Sequence, residues 1–411
     1  MNWVRPGAWD RVLGRLLTPA PRSWWAAALV VVLTVAVSTS LRDNGGSDNA
    51  FVVKAADALL AGVSPYEDKR FLYLPSAVLL AVPEALLPPL LLRWTLPLVM
   101  SALLAAGWWA ALRLFGVPVR SRFAVGGWGA LALAYSPYLN LVLIGNWTSV
   151  SAAALPVALL LAHRGRWTRA GLVVGVAIAA KPMLVPVGLV FLLARRWRGL
   201  AVAAGVPVAL SLAGALAMPS PTLFFTKTLP FLLQGQDAYA LVWDASPVAV
   251  LPRLGVPQPV AVALAGAGAV GALWAAWRRW RGADADGGHG GDGGAQRLAE
   301  TACMVMLAAF LVSRPSFDHY LLVVLPLLLA SAVRERSAAR SPWFWVGLAP
   351  QIAGVPGPSA LDNHRRAFED CWALCGVAVA LARRCLAAPG VNLEDGRTTG
   401  TVRDEETAPA A

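Results

Sequence analysis

The sequence predicts an all-α polytopic membrane protein, and three observations predict it. Of 411 residues, 57% are hydrophobic and only 14% are charged, where soluble domains run about 45–50% apolar and about 25% charged. Mean hydropathy is +0.59. Thirty Pro and 37 Gly lie scattered between apolar runs, and membrane helices tolerate both residues. These values argue against an ordinary soluble enzyme, a disordered chain and a collagen-like chain.

The net charge is +12. Of 35 basic residues only four are Lys, and most of the Arg sit in short clusters between apolar runs. That is the pattern of cytoplasmic loops rather than of a nucleic-acid-binding face, so no nucleic-acid partner is expected. Cys303, Cys371, Cys375 and Cys385 form no framework, and Cys371 and Cys375 lack companions for a zinc site. Buried free thiols are the expected state.

A spanning helix needs roughly 17–25 mostly apolar residues, and Arg-rich loops face the cytoplasm. Together these rules place a cytoplasmic segment at 1–23, an uncleaved first span at 24–40, and an acidic outer loop from 42. Within that loop, Phe51, Ala55, Ala58 and Leu59 mark an amphipathic helix. Residues 74–92 carry Pro75, Pro83, Pro88 and Pro89, too many for a straight helix. They read as an interfacial or re-entrant segment closing the first outer loop at 42–92. The second span is then 94–112, and Arg113, Arg120 and Arg122 turn inward.

Spans three and four fall at 123–140 and 147–162, with an outer corner at Gly145-Asn146. Residues 170–194 have Arg clusters at both ends and Lys181-Pro182 in the middle. Two half-length helices meeting at Lys181-Pro182 fit this pattern. Further spans fall at 199–218, 258–277, 298–313, 320–333, 342–356 and 369–385. The total is about 10–12 helices, with both termini cytoplasmic in a cell membrane. Residues 278–297 form a flexible cytoplasmic loop in which His289 is a linker residue, and 387–411 a disordered tail. In this layout 24 of the 35 basic residues lie inside, and all four Lys lie outside or at the hairpin tip.

The polar clusters that loops do not explain all land on the outer side: Asp43 and Asp48, Gly145-Asn146, Lys181-Pro182, and Ser313 to Tyr320. A charge near hydrocarbon is costly, which makes Lys181 a functional candidate; a snorkelling Lys is the other reading. The run Arg314, Asp318, His319 and Tyr320 concentrates a guanidinium, a carboxylate, an imidazole and a phenol. Taken alone, this run is better read as a wet turn with an interfacial aromatic.

These residues resemble a known family. Asp48-Asn49-Ala50-Phe51, Ala58-Leu59-Leu60-Ala61-Gly62, Pro65-Tyr66 and Phe71-Leu72-Tyr73-Leu74-Pro75 are similar to the first outer loop of the actinobacterial polyprenyl-phosphomannose-dependent alpha-1,2-mannosyltransferases, members of the GT-C superfamily. Gly145-Asn146 resembles their Gly-Gln corner, Ala170-Gly171 with Ala180-Lys181-Pro182 their Ala-Gly…Lys-Pro stretch, and Ser316 to Tyr320 their Ser-Trp-x-His-His turn. The similarity spans roughly residues 40–330. Phe51, Asn146, Phe317 and Tyr320 depart from the family pattern, and none of these departures removes a charged group.

The resemblance implies a GT-C-like transmembrane domain at 24–386 with an extracytoplasmic active site. It implies transfer of a mannosyl group from a polyprenyl-phosphate donor to a glycolipid or cell-envelope glycan acceptor. In the family, the Asp of the first outer loop is the general base; Asp48 matches it, with Asp43 as the alternative. Lys181, Arg314 and His319 become candidates for the leaving phosphate, and Asn146, Tyr66 and Tyr73 for substrate contacts. Cationic side chains in a low-dielectric pocket can stabilise phosphate without a metal. No metal or other cofactor is expected, because the outer loops hold no Asp-x-Asp triplet. Membrane lipids are the surrounding partner. A transporter or flippase of a lipid-linked sugar is the alternative; it predicts a second broken helix in a repeat, which the sequence lacks. A non-catalytic scaffold would have no need of Asp48.

Overall fold

In the computed structural model, residues 8–234, 242–282, 292–355 and 365–387 are described. The centre of the inner loop at 283–291 with His289, the tail from 388, and residues 356–364 of the last outer loop lie outside them. The described residues are helical, with isolated bridges in place of strands. Among the described residues, five helices are long and apolar enough to cross a membrane, and one bent pair would make a sixth. The polytopic all-α expectation is met.

After a short helix α1 (Ala8–Leu16) come α2 (Arg22–Ser40) and α3 (Ser47–Leu60), the latter where the amphipathic pattern predicts it. Helix α4 (Pro75–Ala85) is followed by a break and then α5 (Pro89–Leu114), which begins earlier than the hydropathy boundary at 94. The proline-rich segment does not lie loosely at a surface. Pro75, Ser76, Ala77, Val78 and Ala81 are buried, and Ser76 Oγ donates to the Ala179 carbonyl at 2.7 Å.

The expected third span is not one helix. It is α6 (Arg122–Ala134) and α7 (Ser136–Ile144), separated at Tyr135, whose backbone is extended. Pro137 near the start of α7 cannot donate into a continuous ladder. Helix α8 (Thr148–His163) then departs from α7 at 119°. The hairpin at 170–194 is present: α9 (Trp167–Ala180) ends at Lys181, and a 3₁₀ turn at Pro182–Val187 leads into α10 (Gly188–Leu193). A residue before proline is pushed out of the helical region, and Lys181 has φ −149° and ψ 121°.

Helix α11 (Trp197–Ala217) packs along α9 so closely that a Cβ on Gly171 would lie 2.1 Å from the Gly199 carbonyl oxygen. Small residues are what allow such backbone approach between apolar helices. After the short helices α12 (Leu229–Gln234) and α13 (Pro247–Arg253), α14 (Gln258–Arg281) and α15 (Asp292–Val312) pair together. They run deeper into 278–297 than expected. Helix α15 is the central pillar, with 83% of its apolar stretch buried against 17% for α11. The expected spans 320–333 and 342–356 are not long helices. They are α16 (Leu325–Ala330) and α17 (Pro342–Leu348) between 3₁₀ turns; α18 (Arg365–Leu386) follows.

The bundle has two unlike ends. At one, the Arg-rich connections meet: the Arg122 amide donates to the Thr18 carbonyl at 2.9 Å, Arg334 reaches the Phe115 carbonyl at 3.1 Å, and Arg279 and Arg384 flank Glu300 at 2.5 and 3.5 Å. At the other, the Gly46 amide donates to the Leu143 carbonyl and the Ala245 amide to the Ser316 carbonyl, each at 2.7 Å.

Candidate active site

The second end assembles the polar residues from five separate segments. Asp48 stands in the first turn of α3, behind Gly46 in a left-handed conformation; a carboxylate there is favoured by the helix dipole. Gly145 ends α7, also left-handed at φ +66°. A Cβ on it would lie 2.6 Å from Leu96 Cδ2 and 3.2 Å from Asn49 Cβ. Glycine at this corner therefore lets the two turns press together, and Asn146 arrives beneath Asp48.

Asn146, only 3% exposed, uses both ends of its amide. Its Nδ2 donates to Asp48 Oδ2. Its Oδ1 accepts from the Thr148 amide at 2.8 Å and from Lys181 Nζ at 2.7 Å. Lys181 also donates to Thr148 Oγ1 at 2.9 Å, and its ammonium lies 5.5 Å from the Tyr320 ring centre. One amide group thus holds a carboxylate and an ammonium near each other without letting them form a direct ion pair. Asp48 Oδ1 and the third Lys181 N–H have no protein partner among the described residues. One can accept a proton and the other can meet an anion.

Tyr73 faces the same space. Its ring is 6.1 Å from that of Trp147. Burial, then the nearby charge of Asp48, pushes its hydroxyl well above the usual phenol range, so it is a neutral hydrogen-bonding group. Asn49, next to Asp48, accepts from Trp147 Nε1 at 2.8 Å and donates to Glu84 Oε2 at 2.7 Å. This ties the start of α3 to α4 and α8.

The other expected residues are placed differently. Tyr66 is fully buried against Phe71 and Phe224, and its hydroxyl donates to the Tyr73 carbonyl at 3.0 Å; it supports Tyr73 from behind. Arg314 is exposed, with Nε 3.9 Å from Asp244 Oδ2. Asp244 itself locks the turn by accepting from the Ser246 and Ser316 amides at 2.9 and 3.0 Å. Asp43 is exposed and takes no part in the cluster.

His319 is 2% exposed. Its Nδ1 pairs with Asp318 at 2.9 Å, which fixes the ring, while Nε2 is buried with no hydrogen-bond partner among the described residues. Its ring centre is 5.4 Å from that of Tyr320, which connects it to Lys181. Burial alone would raise the Asp318 carboxyl, but the hydrogen bond and charge of His319, then the charge of Arg366, hold it below the ordinary range. Asn140 Nδ2 adds two contacts at 3.0 and 3.2 Å, and Arg366 one at 3.2 Å.

Thr148, Asn140, Asp244 and Arg366 were not among the residues expected from sequence. Thr148 lies two residues after Asn146, the spacing at which an Asn side chain bonds the following backbone; that signal could have found it. The other three carry no local pattern.

A helical membrane bundle with a separated carboxylate and ammonium at one end defines a class, the membrane glycosyltransferases, once the family match is added. The chain belongs to glycosyltransferase family 87, whose model matches residues 71–313. Tyr73, Asn146 and Lys181 fall inside that stretch; Asp48, Arg314 and His319 fall outside it. Two curated relatives, both named alpha-(1->3)-arabinofuranosyltransferase, come from Mycobacterium tuberculosis strains CDC 1551 / Oshkosh and ATCC 25618 / H37Rv. Each is 26% identical over 223 residues, 52% of this chain and 52% of the relative. The chain thus spans about half the length of the curated relatives it matches. No solved structure matches it.

Proposed function

We propose that this glycosyltransferase moves a mannosyl group from a polyprenyl-phosphate donor to a glycolipid or cell-envelope glycan acceptor on the extracytoplasmic side of the membrane. The observation that carries the reading is the Asp48–Asn146–Lys181 bridge. It sets a proton acceptor and a cation side by side, as a displacement at an anomeric carbon requires.

In this reading the acceptor oxygen bonds to the anomeric carbon while the bond from that carbon to the phosphate oxygen breaks. The acceptor's proton passes to Asp48 Oδ1. The bonding electrons leave with polyprenyl phosphate, whose new charge is met by Lys181, with His319 Nε2 and Tyr73 as further polar contacts. Preorganised groups in a dry site stabilise such charge far better than water-exposed ones. No metal or cofactor is assigned a role.

A second reading has a specific observation behind it: the relatives' name supports an arabinofuranosyl donor. Membranes carrying the protein, given radiolabelled polyprenyl-phosphomannose or polyprenyl-phosphoarabinofuranose in parallel, separate the two. Transfer from the first supports the proposal, and transfer from the second alone replaces the sugar. A labelled donor that crosses the membrane with no product from either would favour a transporter and sink both.

A further inference from the structure

At the Arg-rich end a cavity of about 770 Å³ lies between the α8–α9 turn, the α10–α11 turn and the facing ends of α14 and α15. It is roughly 23 Å from the Asp48 cluster, the length of α8 at 1.5 Å per residue. Arg195, Arg196, Arg281 and Arg297 line it, and no carboxylate does among the described residues. Three of these guanidiniums stack on indoles that also face the cavity: Arg196 on Trp167 at 5.5 Å, Arg281 on Trp277 at 4.6 Å, and Arg297 on Trp280 at 5.1 Å.

We propose that this cavity binds the phosphate of an anionic phospholipid headgroup. Charges that only orient a chain in the membrane need no cavity and no stacking partners. Here the guanidiniums converge from the α10–α11 turn and from the facing ends of α14 and α15, and three of them lie over indoles that restrict a group well suited to phosphate oxygens. Arg195 carries a further mark. It ends α10 with φ +53°, a left-handed position where glycine is the low-cost residue. An arginine at that position carries a backbone cost.

The source of the phosphate is argued from the walls. Leu192 and Leu193 line the cavity, and Leu189 and Leu192 on the same helix are exposed, giving acyl chains an apolar outer face. Trp277 is 40% exposed, as befits a ring at headgroup level. Basic pockets between helices at the cytoplasmic end are the sites where anionic lipid headgroups bind.

The test uses the full chain in detergent, equilibrated with phosphatidylglycerol, phosphatidylcholine or inorganic phosphate and read by native mass spectrometry. Phosphatidylglycerol should be retained in preference to phosphatidylcholine, and millimolar phosphate should not displace it. Arg195→Gly relieves the backbone while removing one charge, so folding is safeguarded; retention should fall about fivefold, the worth of one basic residue at a membrane surface. Adding Arg281→Gln should bring the loss to roughly 30-fold. Equal retention of phosphatidylcholine, or full retention in the double variant, overturns the proposal. Displacement by inorganic phosphate alone overturns the lipid source. Asp48→Asn should leave retention unchanged, so the outcome is independent of the glycosyl-transfer reading.

Discussion

The two ends of this bundle use charge in opposite ways. At the Arg-rich end Glu300, 2% exposed, is neutralised by Arg279 at 2.5 Å and also held by Gln296 at 2.8 Å. At the other end Asp48 and Lys181 are near neighbours but are kept apart by the Asn146 amide. A satisfied pair ties helices together and does little else. A carboxylate and an ammonium that do not satisfy one another are, in the proposed reading, what a substrate meets, and a buried Asn between two left-handed glycine corners keeps them apart.

The sharpest test of the comparison is orientation, which is all-or-none. Asp43→Cys, exposed at the Asp48 end, should react with an impermeant thiol reagent from outside intact cells. Arg336→Cys, exposed at the Arg-rich end, should react only after permeabilisation. The reverse result would place the candidate site in the cytoplasm.

Next in size is the base. Asp48→Asn keeps the shape of the side chain but takes no proton, and should cut sugar transfer by about 10²–10⁴-fold with the melting midpoint unchanged. Asp43→Asn should cost little, and transfer that survives in Asp48→Asn removes Asp48 from the role. Lys181→Ala should reduce use of the lipid-phosphate donor strongly, while Lys181→Arg keeps part of it, because Arg supplies charge in a wider fork. A well-expressed Lys181→Ala protein with full transfer would leave Lys181 a snorkelling residue.

Glu300→Ala is the counterpart at the opposite end. It strips two guanidiniums of a buried partner and should cost about 3–5 kcal/mol of stability, seen as a lower thermal midpoint, with transfer per folded molecule preserved. A selective loss of transfer would erase the distinction between the ends. A smaller loss of stability is expected of Gly145→Ala. A left-handed alanine facing Leu96 should cost about 1–3 kcal/mol and also lower transfer, because the corner that carries Asn146 is displaced.

The sequence was informative where a single residue dictates local geometry. Pro182 forces Lys181 out of the helix, so the hairpin tip was legible, as was α3 from its amphipathic spacing. Asp48, Asn146 and Lys181 were visible as short motifs on one side, though not as one hydrogen-bonded unit. Arg314 and Tyr66 looked equal to them in the sequence and are committed to Asp244 and to Tyr73 instead, since partner choice is decided by packing between distant segments. The break at Tyr135 had a signal in Pro137 that hydropathy outweighed. The short helices α16 and α17 had none, because an apolar run does not reveal whether it coils as α-helix or as 3₁₀ turns.

The contact between Arg366 and Asp318 has a consequence for the order of assembly. Asp318 lies just beyond α15, whereas Arg366 opens α18, 48 residues later. During synthesis the hairpin carrying Lys181 can meet Asn146 as soon as α9 has been inserted. The Asp318–His319 pair forms between neighbours in the chain, but Asp318 must wait for α18 to gain Arg366. A ribosome-bound chain that has not yet delivered α18 therefore holds the Asp48–Asn146–Lys181 bridge while Asp318 still lacks its guanidinium partner.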